Sequence, residues 1–219
     1  MNLIDKIKVV VLDCYGTIVG YGMTQNQRQK PRKGLIEFLD RMKARGITLV
    51  IATDDDNVAR VHNYLKEIGV VQYFMTGRDR TDGDLHYPNI NQGIHKNFNF
   101  YGYYDLNFDS HKHGDKDFAK IAEDHGVGTD EVYFVGDNGV GRDKRSAERY
   151  NVQWTNCAQY HPNAKFGDVY DFNSILQTFA WDDEKVKDFT RFYSSGTGPR
   201  LMADKLEHFK KAIQKGDSR

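Results

Sequence analysis

The first apolar run, Ile7 to Leu12, is a continuous β-branched stretch that stops at Asp13 and Gly16. A short run of this kind, bounded by a turn signal, predicts a buried strand. Pro31 then opens a helix with Leu35, Ile36, Leu39 and Met42 on one face, a 3.6-residue period that Gly46 closes. A second strand, Ile47 to Ala52, stops at Thr53. The acidic residues Asp54, Asp55 and Asp56 with Asn57 predict a helix start, and Val58, Val61, Leu65 and Ile68 mark its buried face up to Gly69. A third short strand is predicted over Val70 to Met75.

Residues 77–111 lose this rhythm. They are polar and rich in Gly and Asn, yet they carry Tyr87, Phe98, Phe100, Tyr101, Tyr103, Tyr104 and Phe108. The segment reads as an insertion after the third strand, either a small lid over the strand ends or a separate hydrophobic cluster beneath a long loop. As a lid it would bring aromatics that stack on a base or sugar, and His86, His95 or His111 as a proton donor. Regularity resumes with a helix near 115–125, a strand over Val132 to Val135, a helix near 143–150 and a strand near 152–155. Strands alternating with helices define an α/β class: a Rossmann-like, doubly wound parallel sheet with helices on both faces. The expected organisation is a core domain over 1–169 and a helical C-terminal extension over 170–219, interrupted at 194–199.

Charge and composition narrow the classes of partner. The 219 residues carry 31 Lys+Arg against 31 Asp+Glu, a formal net charge of zero, which argues against general nucleic-acid binding. The basic clusters at 28–33 and 142–149 read as solvated faces. No apolar run approaches the roughly 20 residues of a membrane span, and the N-terminus runs straight into a strand, so a cytoplasmic protein is expected. Cys14 and Cys157 are too few for a disulfide framework and read as buried free thiols.

In parallel sheets of this kind, ligands bind beyond the carboxyl ends of the strands. Those ends carry Asp13, Thr53 and Asp137, with Asp143 just beyond. Carboxylates and a hydroxyl on one rim suggest a nucleophile or metal ligand, a second metal ligand and an oxyanion contact.

In order, Asp13-Cys14-Tyr15-Gly16-Thr17, Leu49 to Thr53, Lys112, and Val135-Gly136-Asp137 with Asp143 resemble the haloacid dehalogenase superfamily, which consists mostly of magnesium-dependent phosphohydrolases. The stretch from Lys112 to Asp137 lies without a gap on a common pattern of that family, a lysine, an amphipathic helix, Gly-Val and E-V-x-F-V-G-D. The resemblance covers roughly residues 6–157. It implies that Asp13 attacks phosphorus and forms an aspartyl-phosphate, and that Thr53, with Asp54 beside it, and Lys112 hold the phosphoryl group. It further implies that Mg2+ is held by Asp13, Asp137, Asp143 and the Tyr15 backbone carbonyl. Lys116 is the rival for the lysine role. The expected substrate is a small phosphorylated compound or the phosphorylated end of a macromolecule.

Tyr15 departs from the phosphatase pattern, which has a second Asp there to protonate the leaving group and activate water. A phenol, with an ordinary pKa of about 10, is poorly suited to both tasks. D-x-Y-G-T is instead similar to the 2-haloacid dehalogenases, in which the Asp displaces halide from carbon. The short stretch between Asp13 and Thr53, which lacks room for the cap of those enzymes, and the acidic pair Asp137 and Asp143 favour the phosphatase. Two alternatives remain: a dehalogenase-like hydrolase, and a catalytically silent member that binds a phosphorylated ligand or a partner protein.

Overall fold

A computed structural model describes residues 3–21, 30–55, 57–76, 98–102, 115–139, 141–162 and 170–176. After a short helix, α1 (Leu3–Lys6), comes the central strand β1 (Val9–Leu12), whose four residues are all buried. Two central neighbours, β2 (Thr48–Ala52) and β4 (Val132–Gly136), pair with it in parallel. A two-residue edge strand, β3 (Phe100–Tyr101), joins β2, and β5 (Gln153–Asn156) joins β4. The sheet order is β3-β2-β1-β4-β5, the doubly wound parallel sheet expected from the sequence.

A strand covered on both faces reads as an unbroken apolar run because alternate side chains enter different cores. Val10, Leu12, Leu49, Ile51, Tyr133 and Val135 pack in one core with α2 (Leu35–Ala44) and α3 (Val58–Glu67). Val9, Val11, Val50, Ala52, Val132 and Phe134 pack in the other with α4 (Phe118–Asp124) and α5 (Arg142–Arg149).

Three sequence expectations change. Over 70–75 the chain forms a 3-10 turn at Val71–Tyr73, and Met75 makes only an isolated antiparallel bridge to Phe98. Val70 and Phe74, four residues apart, are the buried pair, which is a helical spacing rather than the alternation of a strand. The third strand of the sheet is β3, inside the stretch read as an insertion. Phe98, Phe100 and Tyr101 are core residues, and the Asn99 side chain donates to the Leu49 carbonyl at 3.1 Å, tying the segment to β2. The rest of that stretch, with the proposed lid and His86, His95 and His111, lies outside the described residues. Finally, the helix attributed to Pro31 begins at Leu35, after Gly34.

The beginning of the expected C-terminal extension belongs to the core. Phe172 meets Phe38 of α2 edge to face with ring centroids 5.0 Å apart, and Tyr170 and Ile175 are buried with it. Residues 177–219 lie outside the described residues. Nearby, the buried guanidinium of Arg32 lies over the rings of Tyr160 and Tyr170 and donates to the carbonyls of Thr17 (2.9 Å) and Ala158. It thereby ties the loop after β1 to the loop after β5. Among the described residues no helix is long and apolar enough to cross a membrane.

Candidate active site

The parallel order places the carboxyl ends of β1, β2 and β4 side by side, so the residues that follow them meet. Asp13 follows β1, Thr53 follows β2, and Asp137 follows β4. Asp143 comes from the first turn of α5. One ligand oxygen from each of Asp13, Asp137 and Asp143 lies within 4.8 Å of the others.

Glycine makes this approach possible at two points. Gly16 has φ of +80°, and a β-carbon there would stand 2.1 Å from Asp137 Oδ2. A β-carbon on Gly136 would stand 2.3 Å from Asp143 Oδ2. Gly16→Ala therefore adds left-handed backbone strain of ~1–2 kcal/mol to a displaced carboxylate. The expected result is a lower melting temperature and divalent-cation affinity weaker by about 10–100-fold, the range for a lost supporting contact; a cation titration followed by thermal shift measures both.

Among the described residues, the ammonium group in the site belongs to Lys116. Its Nζ lies 2.7 Å from Asp143 Oδ1 and 3.1 Å from Asp13 Oδ1. The side chain is almost wholly buried and passes 5.4 Å from the centre of the Phe134 ring. Its backbone N–H donates to Ser146 Oγ at 2.8 Å, fixing the stem against α5. Lys112, which the sequence pattern placed in this role, lies outside the described residues. Asp117 explains the register: it caps α4 by accepting from the Lys120 N–H, so Lys116 stands just ahead of the helix and reaches back to the end of β1.

The electrostatics follow from burial and crowding. Burial raises the Asp13 carboxyl, Lys116 pulls it back down, and Asp143 and Asp137 push it up again, leaving it above the ordinary carboxylate range. Burial and Asp143 also raise Asp137, whose Oδ2 accepts from the Gln159 side chain at 2.9 Å. Burial alone would lower Lys116, but Asp13 and Asp143 outweigh it and hold the ammonium charged. Among the described residues, three carboxylates thus face one ammonium. An all-oxygen cluster with surplus negative charge suits a hard divalent cation.

The rim beside β2 has its own ion pairs. Thr53 is buried, and its Oγ1 accepts from the Asp55 N–H at 3.3 Å. Asp54 pairs with Arg142 at 2.6 Å, linking the loop after β2 to the start of α5. Asp55 accepts from the Tyr15 hydroxyl at 2.5 Å and from two nitrogens of Arg60. Asp54, expected beside Thr53 at the phosphoryl group, and Asp55, expected only to start a helix, thus both make ion pairs at this rim, while Asn57 caps α3. Sequence reading missed Asp55, Arg60, Arg142 and Gln159 as site neighbours; the position of Asp54 and Asp55 directly after Thr53 was the available signal.

No family model matches the chain, and no curated protein matches it in sequence. Solved structures do. A predicted phosphoglycolate phosphatase from Haemophilus somnus 129pt superposes with a TM-score of 0.51 at 13% identity, covering 78% of this chain and 97% of that one. A 3-deoxy-D-manno-octulosonate 8-phosphate phosphatase from Moraxella catarrhalis, solved with magnesium, phosphate and KDO, matches at a TM-score of 0.36 and 15% identity, covering 62% of this chain and 60% of its own. The cobalt-bound deoxy-D-mannose-octulosonate 8-phosphate phosphatase of Haemophilus influenzae matches at 0.41 and 10%, covering 80% and 91%. The chain thus shares the parallel α/β fold of that predicted phosphoglycolate phosphatase.

Proposed function

We propose that the protein is a magnesium-dependent phosphohydrolase that acts through an aspartyl-phosphate on Asp13. The observation that carries this reading is the juxtaposition of Asp13 with Asp137, Asp143 and Lys116 at the ends of β1 and β4. Asp13, Asp137 and Asp143, with the Tyr15 backbone carbonyl, would hold the cation, which when bound supplies positive charge that lets two anions approach.

In the first step an Asp13 oxygen forms a bond to phosphorus while the bond from phosphorus to the leaving oxygen breaks, and that oxygen departs with the electron pair. Lys116 pulls the Asp13 carboxyl down against the effect of burial and adds a point charge beside the incoming phosphoryl group. The Thr53 hydroxyl, with Asp54 beside it, would meet a phosphoryl oxygen. In the second step a water oxygen bonds to phosphorus, the bond to Asp13 breaks, and inorganic phosphate and a proton leave. The reading takes a small phosphorylated compound or a phosphorylated macromolecular end as substrate. Buried free thiols at Cys14 and Cys157 fit a reducing compartment such as the cytoplasm.

The direct test is hydrolysis of 4-nitrophenyl phosphate with and without Mg2+, beside chloride release from 2-chloropropionate. Magnesium-dependent phosphate release is expected; chloride release alone would favour the dehalogenase suggested by D-x-Y-G-T, and silence in both a ligand-binding role.

The raised carboxyls add a pH signature. Asp13 and Asp137 hold protons more tightly folded than unfolded, so the stability these protons contribute is full below the ordinary carboxylate pKa and is lost as pH rises toward neutrality. A cation must displace those protons. The gain in melting temperature from Mg2+ over EDTA is therefore expected to be small near pH 5 and to grow through pH 8. A gain independent of pH would contradict the assignment of the cation to these carboxylates.

A further inference from the structure

The Tyr15 side chain is not free to act as the missing acid, and the reason lies in Asp55. The Tyr15 hydroxyl carries one hydrogen, which it donates to Asp55 Oδ2 at 2.5 Å. Asp55 cannot pass a proton on, because its carboxylate is fully occupied as an acceptor. Oδ2 also accepts from Arg60 Nε at 2.9 Å, and Oδ1 accepts from Arg60 Nη2 at 2.5 Å and from the Asn57 N–H at 2.8 Å. A buried carboxylate receiving four hydrogen bonds, two of them from one guanidinium, stays ionised.

The rings and charges around this group act in the same direction. Tyr64 of α3 meets the Tyr15 ring edge to face at 6.1 Å, which holds its orientation. The described imidazoles stand elsewhere. His62 packs against Phe98, and His125 caps the far end of α4. His161 is bonded to Gln159, whose side chain donates to Asp137.

We infer that Tyr15, Asp55 and Arg60 form a closed proton lock that withholds the Tyr15 proton from the leaving group and, among the described residues, suits the site to phosphorylated compounds whose leaving group departs without being protonated. Acyl phosphates, phosphoanhydrides and aryl phosphates meet that condition; simple alkyl phosphomonoesters do not. The inference rests on the phosphohydrolase reading above. Phosphorus is transferred to Asp13 as the bond to the leaving oxygen breaks, and that oxygen leaves as a carboxylate, phosphate or phenolate that water protonates afterwards.

The test is a leaving-group series on the full chain with Mg2+: acetyl phosphate, substituted phenyl phosphates and an alkyl phosphate, with kcat/KM plotted against leaving-group pKa. A steep fall with rising pKa is expected. Tyr15→Asp is expected to raise the alkyl-to-aryl ratio by about 10²–10⁴-fold, the usual contribution of a general acid, whereas Tyr15→Phe keeps the ratio of the unaltered protein. Because the readout is a ratio, a partly unfolded variant does not disturb it.

A flat series in the unaltered protein overturns the inference while leaving the phosphohydrolase reading intact. So does a collapse of the alkyl-to-aryl ratio in Tyr15→Phe, which would make the phenol the donor. No hydrolysis of any member overturns the reading and the inference together.

Discussion

Asp13→Asn is expected to eliminate phosphate release, by on the order of 10⁶-fold, the scale on which a covalent nucleophile matters, while leaving the protein folded and, without metal, more stable at alkaline pH. Both halves follow from the same geometry. The amide is isosteric with the carboxylate but does not attack phosphorus, so the acyl-phosphate route closes. Burial and the two neighbouring carboxylates raise Asp13. Its contribution favours folding below the ordinary carboxylate pKa, and the ionised group opposes folding once the pH has risen past neutrality. An uncharged side chain removes that opposition. In EDTA the variant's melting temperature should exceed that of the unaltered protein at pH 8 and approach it near pH 4. With Mg2+ the order should reverse, because the variant has lost one anionic ligand. A variant that stays active, or that loses activity only through unfolding, would sink the nucleophile assignment.

The parts of this arrangement that were legible in the sequence are those written locally. Val9 to Leu12, Thr48 to Ala52 and Val132 to Gly136 are strands covered on both faces, and such strands announce themselves as unbroken apolar runs. Once the parallel class is known, Asp13, Thr53 and Asp137 fall at the strand ends by topology alone. The edge strand Phe100–Tyr101 was not legible because two residues carry no period, and its polar surroundings suggested a loop. Val70 to Met75 misled in the opposite sense: β-branched and aromatic residues favour a strand, but the buried pair Val70 and Phe74 is spaced as in a helix. The bond between Tyr15 and Asp55 joins residues 40 positions apart. No local pattern encodes such a contact, so Tyr15 read as a missing acid rather than as one end of a closed network with Arg60.

The sequence pattern put the lysine charge at Lys112, which lies outside the described residues, with Lys116 as its rival; Asp117 caps α4 and leaves Lys116 facing Asp13 and Asp143. Lys116→Met keeps most of the stem's volume beside Phe134 and removes only the ammonium. Two losses are expected. Turnover should fall about 10²–10³-fold, as when one charge-stabilising donor is removed from a reacting oxyanion, and a matching Lys112→Met should show no such fall. Stability in EDTA at neutral pH should drop by ~3–5 kcal/mol, because a buried carboxylate pair is left without its counter-ion. Mg2+ should restore much of the stability, since the cation can neutralise the same oxygens, but it should not restore turnover. That split separates a charge that acts on the substrate from one that only holds the fold. Lys116→Arg is expected to rescue neither, because a planar guanidinium does not fit a compact point-charge position shared by two buried carboxylates at 2.7 and 3.1 Å. Urea titrations with and without Mg2+, run beside the aryl phosphate assay, read both losses. Full activity in Lys116→Met together with its loss in Lys112→Met would return the role to the lysine that the sequence pattern first indicated.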